Sequence, residues 1–533
     1  MQRRDVLLGS AAGAASAFLP RLQTRAEAAS LDTLRELAEA GPNSRDPHGA
    51  GVASPSLGTF TNIYDRLINF GHTEIAPGIF KYDYTKFTGE LAESFEVLDD
   101  GKRLRFHLRQ SATFHDGSPV TAADVKWSFD RGVSLPGSKY QLATGSLTDP
   151  AQFVVVDPAT FEIHLPRGDR YTLPNLALTF ASILNSKLIQ SHATASDPWG
   201  ADWLRDNEAG GGAYRITNWQ AGQRVTYTRF DDWKSGPAPA LRQISFEVVP
   251  TAESRVAALE KGDADIALQL PPQDIAHIAA DPHVHVVSIP VTNTFRFIAF
   301  DTQTAPFTDA RVRQAIAYAL PFEDILQAAV YGHGTPLFGA KSAQPKNAAF
   351  PQPYPYNTEI ARARSLLAAA GHGRGFSTTL SYNVADNDTA EPIAILVQQA
   401  LAPLNINVQI EKISAADWAT RLTAKTVPFF IESSSAWFND PDYFFRIFFQ
   451  GNWRWNFGSF NNPDLAKLLT AARWETDPAK YDALMEKAVG IVFQQLPILP
   501  LWQPTFEAGF KPGLTNFIYY IHGQVDYRPL RWA

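Results

Sequence analysis

Two hydrophobic periods alternate along this chain, and that alternation constrains its fold more than any other feature. In "RLRFHLR", Leu104, Phe106 and Leu108 alternate with Arg103, Arg105, His107 and Arg109, the two-residue period of a strand with one buried face. The turn "HDGS" then leads into "TAADVKWSFDR", where Val125 and Phe129 share a face at the helical period. Thr121 is placed to cap this helix, and Asp124 stands where a capping box needs an acid. The exchange recurs downstream. "RVTYTRF", "QISFEVVP" and "ADIALQL" read as strands, and "TAESRVAALEKG" reads as a helix capped by Thr251 and stopped at Gly262. Beyond Asp301, helices at "DARVRQAIAYAL", "TEIARARSLLAAAG", "AEPIAILVQQAL" and "PDLAKLLTAARWE" alternate with extended segments such as "INVQIEKI". Leu31 to Ala40 reads as an amphipathic helical stub, followed by the Pro/Gly loop "GPNSRDPHGAG". Such interleaving predicts an α/β fold in more than one domain, without a short repeat.

Length and charge narrow the function. A chain of 533 residues exceeds one ordinary core and suggests about two to four domains. With 45% apolar and 19% charged residues it is globular, and 12% aromatics suit large cores or ring-lined clefts. A formal charge of −7 with no run of Lys or Arg argues against nucleic acid as a partner.

The first residues, "MQRRDVLLGSAAGAASAFLP", carry adjacent Arg3 and Arg4, a soft apolar stretch from Val6 to Leu19, and Pro20. Ala26 and Ala28 follow in the pattern of an A-x-A cleavage site, so residues 1–28 read as a twin-arginine export signal. The apolar stretch is shorter than the ~20 residues a spanning helix needs. The sequence holds no cysteine, which excludes disulfides, thiolate nucleophiles, Cys-zinc sites and a lipid-modified cysteine. Together these predict a free protein of the periplasm.

Catalytic motifs are missing. There is no G-x-S-x-G elbow and no H-E-x-x-H. "GTPLFGAKS" (Gly334 to Ser342) has Ala340 inserted before Lys341 and runs into Gln344-Pro345, so it reads as a loop rather than a phosphate cradle. "GGGAY" (Gly210 to Tyr214) reads as a close backbone approach or a turn. His283 and His285 share a strand face but have no third ligand in view. Asp99-Asp100 and Asp231-Asp232 read as turn residues. No cofactor, metal or enzymatic activity is expected.

Several blocks, in order, resemble the family 5 extracellular solute-binding proteins, the dipeptide, oligopeptide, nickel and opine receptors of ABC importers. They are "LRFHLRQSATFHDGSPVTAADVKWSFDR", the passage from "GGGAYRITNWQ" to "VAALEKGDADI", "FDTQTAPFTDARVRQAIAYAL", and "NPDLAKLLTAARWE" through "LPILPLW". The resemblance runs from about Pro42 to the end of the chain. It implies a two-lobe periplasmic binding protein of type II, cluster C-like. Lobe I would be residues 41–295 plus 500–533, with 80–209 as an inserted subdomain, and lobe II residues 296–499. The chain would cross between lobes near Val291–Phe297 and near Leu499–Pro504, and a ligand would be enclosed between the lobes. The implied protein is a monomer that hands a small molecule to an ABC permease in the inner membrane.

The resemblance also points to the stretch "SSSAWFNDPDYFF", Ser433 to Phe445. Peptide receptors of the family place an acid for the peptide's amino group three residues before a D-P-D motif. Here the D-P-D is Asp440-Pro441-Asp442, and Trp437 stands at the acid's position. The Arg that pairs with a dipeptide's carboxylate is also missing. "LSYNVADND" offers Asn383, Asp386 and Asp388 instead. The expected ligand-binding set is therefore Trp437, Trp453 and Trp455 as apolar walls, with Asn439, Asn383 and Asp386 as polar groups. A small peptide or peptide-like solute is the family's default ligand. An opine, sugar conjugate, polyol or metal chelate remains the alternative, and an exported hydrolase on the same scaffold is a further one.

Overall fold

A computed structural model describes residues 32–523 and 525–533, so the export-signal reading of residues 1–28 lies outside the described residues. Two large sheets organise the chain. The first has seven strands, in the order His285–Pro290, Thr505–Phe510, Ile266–Leu268, Thr33–Ala38, Gln243–Val248, Arg224–Arg229, Tyr214–Gln220. The second has six, in the order Thr335–Pro336, Ile498–Gln503, Thr294–Phe300, Phe429–Ser435, Phe376–Asn383, Ile406–Ile413. The chain passes from the first sheet to the second at 291–293 and returns at Pro504.

The N-terminal segment corrects the sequence reading. Thr33–Ala38 is a strand, not a helical stub. It lies parallel to Gln243–Val248 over six residue pairs and parallel to Ile266–Leu268 on its other side. Leu34 and Leu37 have the i, i+3 spacing of a helix, but two waiting strand edges offer hydrogen-bond partners to a short extended segment on both sides. Tertiary pairing overrides local propensity there.

Other expectations hold. Arg103–Leu108 is a strand, burying Leu104, Phe106 and Leu108, in a four-stranded antiparallel sheet with Ala92–Leu98, Phe153–Asp157 and Thr160–His164. The helix Ala122–Ser134 carries the Thr121–Asp124 capping box and buries Val125 and Phe129. Gly210 and Gly212 press against backbone. A Cβ would sit 2.0 Å from the Ile63 carbonyl oxygen at the first and 2.5 Å from the Ile63 carbonyl carbon at the second. In the second half, buried Arg313 ties the helix Ala310–Ala319 to the end of Pro478–Gln495 by donating to the carbonyls of Phe307, Gln495 and Leu496. Each N–H it spends there satisfies an orphan carbonyl at a helix or turn end.

Candidate functional site

A cavity of about 730 Å³ lies between the loops at 47–57 and 136–144 and the segment 433–457. Trp437, Trp453 and Trp455 all line it. Among the described residues, Arg454 is its one charged lining residue, and its guanidinium sits 5.7 Å from the Trp455 ring centroid. Trp453 and Trp455 are 39% and 41% exposed, so their faces are free for a ligand. The sequence presents them here for a local reason. The strand Phe429–Ser435 ends in three serines, and Asp440 with Pro441 then starts the helix Pro441–Phe448. In the short link between them Phe438 turns into the core while Trp437 stays half-buried.

Trp437 is fixed by two edge-on ring contacts. Phe180 lies 4.9 Å away at 75°, and His522 lies 4.2 Å away at 81°. The geometry is that of favourable T-shaped pairs. His522 carries no charge at neutral pH, because burial pushes its imidazole down to about 4.

The remaining predicted residues are not brought to this cavity. Asn439 donates to the Thr292 hydroxyl at 3.2 Å and so ties its loop to the crossing. Asn383 accepts from the Ala385 N–H at 3.0 Å, capping the turn Val384–Asp386. Asp386 pairs with Arg296 at 3.1 Å. Arg296 is the group that sequence reasoning missed. It stands in the strand Thr294–Phe300, 7% exposed, and also donates to Ser433, a lining residue of the cavity, at 3.0 Å. Its Nε and Nη2 have no hydrogen-bond partner among the described residues. The signal was present: one Arg interrupts the apolar run "TFRFIAF". A basic group therefore does stand near Asp386, but it comes from another strand.

The acids of "NDPDYFF" turn out to have protein partners. The Tyr171 hydroxyl donates to Asp440 at 2.7 Å and to Asp442 at 3.2 Å, and Tyr481 also donates to Asp440. Asp442 is fully buried and accepts from Arg446 at 2.6 Å. Burial raises its carboxyl above the usual range while Arg446 opposes that shift. Beside them, Arg473 forks onto both oxygens of Asp169 at 2.7 and 2.5 Å and donates to the Thr144 carbonyl. Tyr443 donates to Gln141 at 2.9 Å, and the Arg170 guanidinium lies 3.5 Å from the Tyr481 ring centroid. These contacts join residues 141–171 to 440–481. The rings and acids of the stretch are a seam between parts of the molecule, and only Trp437 and Tyr443 among its rings line the cavity.

Among the described residues no group of three His, Asp or Glu could hold a metal ion, and no helix is long and apolar enough to cross a membrane.

Comparisons with known proteins agree with this geometry. A family model described as bacterial extracellular solute-binding proteins, family 5 (middle), matches residues 86–456. The glutathione-binding protein GsiB of Salmonella typhi is 28% identical over 453 residues, covering 83% of this chain and 85% of that protein. The heme-binding protein A of Haemophilus influenzae is 27% identical over 540 residues, covering 96% and 94%. Among solved structures, AgaA of A. tumefaciens R10 in complex with agropinic acid superposes with a TM-score of 0.76 at 25% identity, covering 94% of this chain and 99% of that one.

Proposed function

This chain belongs to the family 5 bacterial extracellular solute-binding proteins, and from that premise we propose that its Trp-lined cavity is where it captures its solute. The protein is the periplasmic substrate-binding component of an ABC importer, a binding protein of α/β two-lobe fold. We assign lobe I to residues 41–295 plus 500–533, with 80–209 as its subdomain, and lobe II to 296–499. The separation of the two large sheets supports a division of this kind, with the strands Thr294–Phe300 and Ile498–Gln503 of the six-stranded sheet moving its bounds to 291–293 and Pro504. The strand Thr33–Ala38, inside the first sheet, extends lobe I toward the N-terminus. The lobes close on a small peptide-like solute, and the closed monomer delivers it to the permease in the inner membrane.

The observation that carries this reading is the cavity's composition. Three indoles and Arg454 surround it, and among the described residues no carboxylate lines it. Flat apolar walls with few polar groups suit a solute that presents a ring or an apolar chain. Arg296, reached through Ser433, supplies two open N–H donors for an anionic group nearby. The missing acid also favours the second reading, a non-peptide ligand such as an opine, a sugar conjugate, a polyol or a metal chelate. Among the described residues, no carboxylate partner for a peptide's ammonium lines this cavity. The relatives named above span both classes, one binding glutathione by name and others heme or agropinic acid.

A thermal-shift panel of peptides, opines, sugar conjugates and heme separates the two. A ligand at about 1,000 times its Kd stabilises the folded chain by about 4 kcal/mol. Stabilisation by peptides alone supports the first reading, and stabilisation by non-peptides alone supports the second. No stabilisation by any member rejects the cavity as the solute site.

Export by the twin-arginine route belongs to the same proposal. Replacing Arg3 and Arg4 together by Lys damages a receptor-read address. Precursor then stays in the cytoplasm, and normal periplasmic accumulation rejects the assignment.

A further inference from the structure

A second cavity, of about 640 Å³, lies apart from the first. Its lining residues all fall within 36–291 and 505–527, so none comes from the six-stranded sheet. Leu268, Glu36, Phe246 and Tyr227 come from four adjacent strands of the seven-stranded sheet. The helix Ser54–Ile63 and the C-terminal residues Tyr519, His522, Gly523, Val525 and Tyr527 complete the wall. Val291 and Thr505, beside the two passages between the sheets, line it as well. His522 belongs to this cavity and Trp437 to the first, so their edge-on ring pair stands between the two.

The lining charges are one-sided. Glu36, Glu39 and Glu507 contribute carboxyls, and among the described residues no Lys or Arg lines the cavity. Arg255 and Lys81 on neighbouring elements are engaged with backbone carbonyls, those of Leu268 and Gln269 for Arg255 and that of Pro290 for Lys81. Ser288 donates to one oxygen of Glu507, while the other, Oε1, lies 3.5 Å from His333 and has no hydrogen-bond partner among the described residues. Glu36 is the more deeply buried of the two. It is 1% exposed, its side-chain partner is the Tyr527 hydroxyl, and its Oε2 has no hydrogen-bond partner among the described residues. The Nε2 of His522, in the same cavity, is also without one. A buried carboxyl with an open oxygen is costly in a folded chain, and native structures rarely keep one without a use.

We propose that this cavity binds an organic amine, its ammonium group held by Glu36 and His522 and its carbon skeleton packed on Tyr227, Phe506 and Tyr519. An anion would find no cation there, and a bare metal ion would find no set of three ligands among the described residues. Aromatic walls around an acceptor suit the apolar stem of an amine and attract its positive end. The site is separate from the Trp-lined cavity and does not depend on the reading of that cavity.

Proton balance gives the proposal a signature. Burial pushes the Glu36 carboxyl up to about 8, so at neutral pH it holds a proton in the empty cavity. An arriving ammonium stabilises the carboxylate, and the displaced proton passes to the buffer. Of the other titratable groups facing Glu36, burial raises the hydroxyls of Tyr227, Tyr519 and Tyr527 and lowers the imidazole of His522 to about 4. Glu39 and Glu507 are the other carboxyls that line the cavity.

Isothermal titration of the full chain with hexylamine and phenethylamine, and with hexanol as the uncharged comparison, tests this. The amines bind at millimolar concentration or below, release about one proton at neutral pH, and gain affinity up to tenfold per pH unit below Glu36's own titration. Hexanol does not bind, and Glu36→Gln lowers amine affinity at least tenfold while melting cooperatively. Amine binding without proton release, equal binding of hexanol, or unchanged affinity in Glu36→Gln overturns the proposal, as does no amine binding at all. Where Glu36→Gln fails to fold, proton release by the unaltered chain and the hexanol comparison decide alone. The interlobe reading is scored by the solute panel and this one by proton release, so either can fail without the other.

Discussion

The acid–aromatic seam and the Trp-lined cavity share one stretch of chain, yet they treat their polar and aromatic groups in opposite ways. In the seam, Asp440 and Asp442 accept from Tyr171, Tyr481 and Arg446, and Asp169 accepts twice from Arg473. Its principal carboxylates are matched to donors inside the protein. In the cavity, Trp453 and Trp455 expose their faces, and Arg296 beside it keeps two donors open. The carboxyl cavity beside the crossings is open in the same sense, at Glu36. Satisfied buried charge holds parts of a molecule in one arrangement, whereas unsatisfied groups at a cavity are capacity for a ligand. Only two residues stand between Trp437 and Asp440, so proximity in sequence says little about which role a residue has.

The largest effect is expected in the seam. Asp442→Ala takes the buried carboxylate from Arg446, which keeps only the Leu469 carbonyl, while Tyr171 keeps Asp440, a loss of about 3–5 kcal/mol by denaturant unfolding. A loss below about 1 kcal/mol would mean that the seam is incidental.

Glu36 gives the next effect, visible as a pH dependence. Its folded-state titration is raised to about 8 by burial, so the folded chain binds a proton that the unfolded chain has already released. Stability from this group is present below the ordinary carboxyl range and is lost as pH rises toward 8. Glu36→Gln should remove that slope. The variant's stability relative to the native chain then climbs between about pH 5 and pH 8, gaining about 1.4 kcal/mol for each pH unit crossed, and levels off above. Parallel curves across that range would contradict the burial of this carboxyl.

Trp437 stands between the two regimes. Trp437→Ala removes a cavity wall and two T-shaped contacts, so affinity for the cognate solute should fall by about 1–3 kcal/mol. The unliganded chain should also lose about 1–2 kcal/mol, because Phe180 and His522 lose a neighbour. Normal binding with a much lower melting temperature would make Trp437 a packing residue only.

The smallest effect sharpens the comparison from the cavity side. Trp453→Ala and Trp455→Ala should change stability by less than about 0.5 kcal/mol, since both rings are well exposed. Each should weaken the solute several-fold in a calorimetric titration. Unchanged affinity in both would shift the ligand toward Trp437 and Arg296.

The sequence by itself determined the alternation of strands and helices, the capping box at Thr121 and Asp124, the close glycine packing at Gly210 to Gly212 and the membership of the chain in its family. Each is carried by neighbours within a few residues, or by blocks whose order survives in the chain. The family resemblance also marked Trp437, three residues before the D-P-D, and Trp453 and Trp455 with it. Tertiary structure decided the rest. Thr33–Ala38 became a strand because partners some 200 residues away offered two open edges. Asn383 caps its own turn locally, whereas Asn439 and Asp386 went to the crossing and an ion pair because Thr292 and Arg296 were brought beside them. The acids of the D-P-D met Tyr171 and Tyr481 rather than a ligand for the same reason. Periodicity and capping are local energies, readable from spacing, whereas the partner of a buried polar group depends on which distant element the fold packs against it.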